Sequence, residues 1–289
     1  MSRIPVHLDT DIGDDIDDVF CLALMLRCPE LDIRSITTTC GRTDERAEVV
    51  LDLCNVAGQS PQISAGFPTS ITTPPATEIM RNLYYPVEQP SGQFKIDPAR
   101  TVELISRFPA EGVVFTIGGM TNLGAALLAR STGQPFPRIC CMAGEFQRYG
   151  HREWNIFCDP HAAHICFNSG VPIDVIPWSI GPATKLLPTD IERLRASKDP
   201  LCRRVIHYLE RFWLRVPNKT NMYDPMTVVA VLHPEWFEWQ RGTVKVELRG
   251  EHTFAWTVFK ADANGPHRVA MGVKADDAKQ FMIDRLVGN

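Results

Sequence analysis

Residues 7–20, "HLDTDIGDDIDDVF", carry six aspartates (Asp9, Asp11, Asp14, Asp15, Asp17 and Asp18) within ten positions, between an apolar start and an apolar run. Two unit charges about 4 Å apart repel by about 4 kcal/mol at an effective dielectric of 20, so something in the fold must offset the repulsion. Residues 4–8 (IPVHL) read as a short buried strand, and "VFCLALML" after the aspartates has the length and leucine content of a buried helix. A strand, an acidic turn and a helix open a βα unit.

The same alternation continues outward. "LDIRSITTTC" is rich in β-branched residues, and "DERAEVVLDLCNVAG" shows helical spacing and ends at Gly58, a fitting C-terminal cap. Then come "QISAG", the helix-like "DPARTVELISRF", the strand "GVVFTIGG", the helix "TNLGAALLAR" and the strand "RICCMAG". "DPHAAHICFNSG" reads as helix and "PIDVIPW" as strand. Strands alternating with helices predict an α/β fold, a mainly parallel open sheet flanked by helices. Ligands of such sheets sit at the carboxyl ends of the strands.

Residues 67–96 break the rhythm with five prolines and little periodicity, which is the pattern of a functional flap or a disordered loop. The C-terminal third offers a helical stretch near residues 189–215, an Asp-Pro helix start at 224, and the strand-like "TVKVELRG" and "TFAWTVFK". No repeat and no shift of composition marks a boundary, so residues 1–289 are expected to form one domain.

The composition narrows the function classes. A formal charge of -4, with no run of Lys and Arg, excludes a basic field for nucleic acid. "MSRIPVHLDTD" leaves no room for the apolar core of a secretory signal, and no stretch of 18 apolar residues occurs, so no membrane span and a cytoplasmic protein are expected. Nine cysteines without a CxxC pair read as buried thiols in a reducing compartment.

Three segments are expected to join the acidic turn at strand carboxyl ends: "FTIGGMTN" (115–122), "EWNIFCDP" (153–160) and "NMYDP" (221–225). Carboxylates together with a backbone carbonyl suit a hard cation such as calcium, whereas zinc would want His or Cys, which the turn lacks. Bland readings stand beside these. Asp159-Pro160 and Asp224-Pro225 each place Asp at an N-cap and Pro at N1. Cys158, His161, His164 and Cys166 fall on consecutive turns of one helix rather than around a metal, Trp154 suits packing, and "TIGGMTN" lacks the Lys-Ser/Thr of a phosphate loop.

Taken together, "DTDIGDDIDD", "GGMTN", "EWNIFCDPHAA" and "YDP" resemble the inosine-uridine-preferring nucleoside hydrolase family, from Val6 to the C-terminal strands. The resemblance implies one nucleoside hydrolase-like catalytic domain that binds calcium and hydrolyses the N-glycosidic bond of a ribonucleoside to base and ribose, as in purine or pyrimidine salvage. It implies a calcium ion held by Asp11, Asp18, the carbonyl of Ile117 and Asp224, with Asp11 also the general base toward the water bound there. It assigns ribose contacts to Asp17, Glu153, Asn155 and Asp224, and it implies a homo-oligomer, dimer or tetramer.

Departures from the family pattern are specific. The acidic turn is about two residues longer than the D-P-G-x-D-D form, which makes Asp15 an alternative to Asp18 as ligand and leaves Asp14 without an assigned role. Arg42 and Gln147 stand where Asn is usual, and a His-Gly flap motif is absent from residues 67–96. Tyr223 stands where many members carry the His that protonates the leaving base; a phenol with an ordinary pKa near 10 can donate a proton there but matches neutral pH less well. Two rivals follow: a calcium- or ribose-binding protein of the same fold with weak or no turnover, and a phosphohydrolase with Asp9 of the D-x-D as nucleophile.

Overall fold

The computed structural model of the protein describes residues 3–72, 82–131, 133–148 and 151–288. Strand β1 (Ile4–Thr10) leads through the acidic turn into α1 (Asp17–Arg27), followed by β2 (Leu31–Thr38), α2 (Thr43–Ala57) and β3 (Gln62–Ala65). Next come α3 (Pro98–Ser106), β4 (Val113–Thr116), α4 (Thr121–Ala129) and β5 (Arg138–Met142). The middle of the chain closes with α5 (Trp154–Cys158), α6 (Pro160–Phe167) and β6 (Ile173–Ile176). Beyond it lie α7 (Pro188–Ala196), α8 (Pro200–Trp213), α9 (Pro225–Leu232), β7 (Phe237–Val246), β8 (Thr257–Ala261), β9 (His267–Val273) and α10 (Ala275–Val287).

The strands form one sheet in the order β3-β2-β1-β4-β5-β6-β9-β7-β8. Pairing is parallel from β3 through β9, and β7 runs antiparallel to both β9 and β8. The expected mainly parallel sheet is therefore present, with an antiparallel edge. Both faces are covered: along β5, Ile139 and Cys141 enter one hydrophobic core while Cys140 and Met142 enter the other. Burial on both faces is why these strands read as continuous apolar runs rather than alternating ones.

Several boundaries differ from the sequence expectation. The stretch 189–215 is two helices, because Asp199-Pro200 caps and starts the second: the Asp199 carboxylate accepts from the backbone N–H of Leu201 and Cys202, both at 2.9 Å. Strand β9 and helices α5 and α10 lie outside the expected elements, although α10 buries Ala278, Met282, Ile283 and Leu286 at helical spacing. The described part of residues 67–96 contains no helix or strand beyond a bridge between Ala65 and Ile96; positions 73–81 of the expected flap lie outside the described residues.

The order of the strands locates the functional edge. The chain moves outward from β1 to β2 and β3, then returns to the other side of β1 with β4, β5 and β6. The carboxyl ends of β1 and β4 are thus the point where the strand order reverses, the crevice in which open α/β sheets bind ligands. Asp11 directly follows Thr10 at the end of β1, and Ile117 directly follows Thr116 at the end of β4.

Candidate active site

A cavity of about 410 Å³ opens at this switch point, and Asp11, Asp14, Asp15, Asp17, Asp18, Glu153 and Asp224 all line it. Its floor is a trio: ligand oxygens of the buried Asp17, Asp18 and Asp224 lie within 4.8 Å of one another. Asp17 and Asp18 begin α1, where the positive end of the helix dipole favours carboxylates. The Thr10 hydroxyl donates to Asp18 Oδ1 at 2.5 Å, and the backbone N–H groups of Tyr223 and Asp224 donate to Asp17 Oδ2 at 3.2 Å each. Strand end, helix start and the distant "YDP" segment are tied together by these bonds.

Four helices begin with Asp-Pro, and they separate capping from chemistry. Asp97 accepts from the N–H of Arg100, Asp159 from that of Ala162, and Asp199 from those of Leu201 and Cys202. Asp224 makes no side-chain capping bond to α9. The bland reading therefore holds for Asp159, whose other oxygen also takes the Ile71 N–H and the Thr121 hydroxyl. Asp224 instead turns its carboxylate to the floor of the cavity.

Two cations answer the repulsion in the acidic turn. Arg46, fully buried on α2, donates to the carbonyls of Asp11 and Ile12, to that of Cys40 at 2.8 Å and to that of Asn82 at 3.1 Å. Sequence reasoning missed it, because a lone arginine in "RAEVVLDL" carries no local signal of partners elsewhere in the chain. Lys219 forms an ion pair with Asp15. The Asp15 carboxylate meets Lys219 and the N–H of Ile16, and Asp18 rather than Asp15 joins the trio; Asp11, expected among the ligands, lines the cavity outside the trio, and Asp17, expected as a ribose contact, lies within it. Within the lengthened turn Gly13 takes φ +113°, and the hydroxyl of the buried Tyr85 accepts from Gly13 N–H and donates to the Asp15 carbonyl.

The charge on the floor is still poorly solvated. Burial pushes Asp11 up to about 7 and Asp17 up to about 8. Burial, then repulsion from neighbouring carboxylates, holds Asp18 and Asp224 well above the usual carboxylate range. Buried, crowded, oxygen-only donors with raised proton affinity fit a hard cation, and among the described residues this trio is the one such His/Cys/Asp/Glu group. Cys158, His161, His164 and Cys166 form none; His161 pairs with the Thr72 hydroxyl at 2.8 Å.

Around the floor, Glu153 caps the short helix α5, accepting from the N–H groups of Gly144, Asn155 and Ile156 at 2.8–3.0 Å. Asn155 donates through Nδ2 to the carbonyls of Ile117 at 2.9 Å and Met142 at 3.0 Å. These bonds clamp the ends of β4 and β5 to α5, and the Ile117 carbonyl keeps one lone pair after taking Asn155. Tyr84, Trp154, Trp178, Phe212 and Tyr223 give the cavity an aromatic wall. The Tyr223 ring lies against Trp178 with centroids 6.0 Å apart and planes 23° apart, in space left by Gly181, where a Cβ would come within 1.8 Å of the ring. Its hydroxyl accepts from Asn221 Nδ2 at 3.0 Å, and burial pushes the phenol up to about 12.

Other residues singled out in the sequence stand elsewhere. Arg42 is exposed and paired with Glu45, and Gln147 donates to the Met271 carbonyl at 2.9 Å, so neither lines the cavity. Asp9 is fully buried and does not line it either; its Oδ1 accepts from Thr37 at 2.6 Å and Asn122 at 2.7 Å. A nucleophilic Asp9 has no access to a substrate there. All nine cysteines are free and buried, and among the described residues no helix is long and apolar enough to cross a membrane.

Comparison with known proteins places the chain in a family. The family model described as inosine-uridine preferring nucleoside hydrolase matches residues 6–282. The chain is 30% identical to the pyrimidine-specific ribonucleoside hydrolase RihA of Photobacterium profundum, over 99% of this chain and 98% of that one. It is 28% identical to the probable uridine nucleosidase 1 of Oryza sativa subsp. japonica, over 86% and 83% of the two chains. Among solved structures, the plant nucleoside hydrolase PpNRh1 shares the fold with a TM-score of 0.81 at 24% identity, covering 100% of both chains.

Proposed function

The chain belongs to the inosine-uridine preferring nucleoside hydrolase family and is thereby an N-glycosyl hydrolase; we propose that it uses calcium to split a ribonucleoside into base and ribose by direct attack of water on the anomeric carbon. The observation that carries this reading is the buried carboxylate trio beneath an aromatic wall in one cavity at the switch point. Asp18 and Asp224 of the trio would hold the ion together with Asp11 and the Ile117 carbonyl, which line the same cavity outside the trio, while Asp17 would be left for the ribose and Asp15 for Lys219. A bound divalent cation supplies positive charge to this floor and acidifies the water it polarises.

The chain's own groups account for the rest. Asp11 takes the proton of the attacking water. Asp17, Glu153, Asn155 and Asp224 accept the ribose hydroxyls, and the same carboxylates stabilise the oxocarbenium-like charge that develops on the ring. The electron pair of the breaking C–N bond leaves with the base, toward Tyr223, whose phenol is the candidate proton donor. The names of the relatives make uridine and cytidine the first substrates to try.

Purified protein should release free ribose from at least one of uridine, cytidine and inosine. Chelation should lower the rate by about 10²-fold or more, calcium should restore it, and Asp11→Ala should abolish it on every substrate. If calcium binds and ribose binds but no nucleoside on a broad panel turns over, the protein is a binding protein on a hydrolase fold. The raised phenol of Tyr223 is the feature that keeps that second reading in view.

A further inference from the structure

Lys219 is the one cationic side chain lining the cavity among the described residues, and nothing so far gives it a part in the reaction. It belongs to the segment between α8 and Tyr223, and its side chain is 41% exposed. The floor beneath is nearly closed: Asp17, Asp18, Asp224 and Glu153 are only 2–3% exposed. A ribose gripped by those carboxylates would turn its base away from them, toward the remaining lining, which includes Lys219, Tyr84, Trp178 and Tyr223. The charge of the ammonium opposes the upward push on both Tyr223 and Asp17.

We propose that Lys219 stabilises the departing base, donating a hydrogen bond to a ring carbonyl or ring nitrogen as negative charge collects there. The inference rests on the nucleoside hydrolase reading and assigns a residue to its leaving-group side. When the C–N bond breaks, both electrons go to the base nitrogen, while the anomeric carbon accepts the oxygen of water. The base leaves as an anion unless it is protonated as the bond breaks. An ammonium held beside the departing base lowers the energy of that anion with no proton transfer at all. Lys219 has three N–H donors, and the ion pair with Asp15 occupies one.

Asp15 makes the placement fixed rather than incidental. It belongs to the lengthened acidic turn, its carboxylate also accepts from Ile16 N–H at 2.7 Å, and its carbonyl accepts from the buried Tyr85 hydroxyl. The extension therefore acts as a post that holds the ammonium at the wall instead of letting it swing into solvent. Bases that lack an acceptor on the side facing Lys219 gain nothing from it, so the residue also selects among leaving groups.

The test compares Lys219→Met and Lys219→Arg on two β-ribosides, uridine and 4-nitrophenyl β-D-ribofuranoside, whose nitrophenolate departs unaided. Lys219→Met should lower kcat on uridine by about 10²-fold and change the nitrophenyl rate by less than about 3-fold, while Lys219→Arg should keep most of the uridine rate. The double variant Asp15→Asn/Lys219→Met, which leaves no orphaned carboxylate, should show the same substrate-dependent loss. Calcium affinity measured by calorimetry should be unchanged in all three. Equal losses on both substrates, or no loss on uridine, overturn the proposal while the hydrolase reading stands. Failure of the unaltered protein to release ribose from either riboside removes both.

Discussion

Arg46 shows how one side chain can decide whether an acidic turn is tolerable. A guanidinium cannot lose its charge inside a protein, and its planar fork can reach several acceptors at once. Here it binds carbonyls of the acidic turn, of the β2–α2 connection and of residue 82, so three separate segments converge on one buried cation. Its charge also opposes the upward push on Asp11, Asp14 and Asp18. Arg46→Met should therefore cost about 3 kcal/mol or more in urea unfolding without calcium. Added calcium should stabilise that variant more than the parent, and Arg46→Lys should recover only part of the loss. An unchanged urea midpoint for Arg46→Met would show that the turn needs no such brace. A lone arginine in a helical stretch gives no sign of this role, because its partners are backbone atoms up to 36 positions away.

Among the elements, the Asp-Pro helix starts are most instructive. Those at Asp97, Asp159 and Asp224 were legible as helix starts from local chemistry, since proline fits N1 and aspartate fits the N-cap, whereas Asp199-Pro200 was read through as part of one helical stretch. That Asp159 caps its helix and Asp224 does not depends on what approaches each from across the fold. Asp159 meets Ile71, Thr121 and Ala162, while Asp224 meets Asp17 and Asp18. Asp159→Ala should thus lower stability by about 2 kcal/mol and leave calcium affinity unchanged. Asp224→Ala should do the reverse: calcium affinity is lost, and stability in chelator is equal or higher because a repelling charge is gone. Titration calorimetry beside urea unfolding separates the two, and matching behaviour of both variants would contradict the division.

At the scale of the whole molecule, the carboxylate floor should govern how stability follows pH. A carboxyl whose folded pKa is raised stabilises the fold fully below its ordinary value and loses that contribution as pH rises through the folded value. With Asp11 near 7 and Asp17 near 8, the melting temperature in chelator should fall as pH rises from about 5 to 8. The buried His7, pushed down to about 3, and His267, also lowered by burial, work in the opposite sense but are outnumbered by the raised carboxyls Asp9, Asp11, Asp17, Asp18 and Asp224. Saturating calcium should flatten the slope by replacing protons, and a slope of the same size with and without calcium would argue against a cation on this floor. Local chain chemistry was enough to establish the alternation of strands and helices, the acidic turn at the end of the first strand and the segments that meet it, because period, caps and composition are written into neighbouring residues. Tertiary structure alone decided that Asp18 and not Asp15 joins the floor, that Asp224 is free of capping, and that Arg46 and Lys219 answer the charge. Each of those outcomes depends on a hydrogen bond or an ion pair between residues far apart in the chain, which no local pattern encodes.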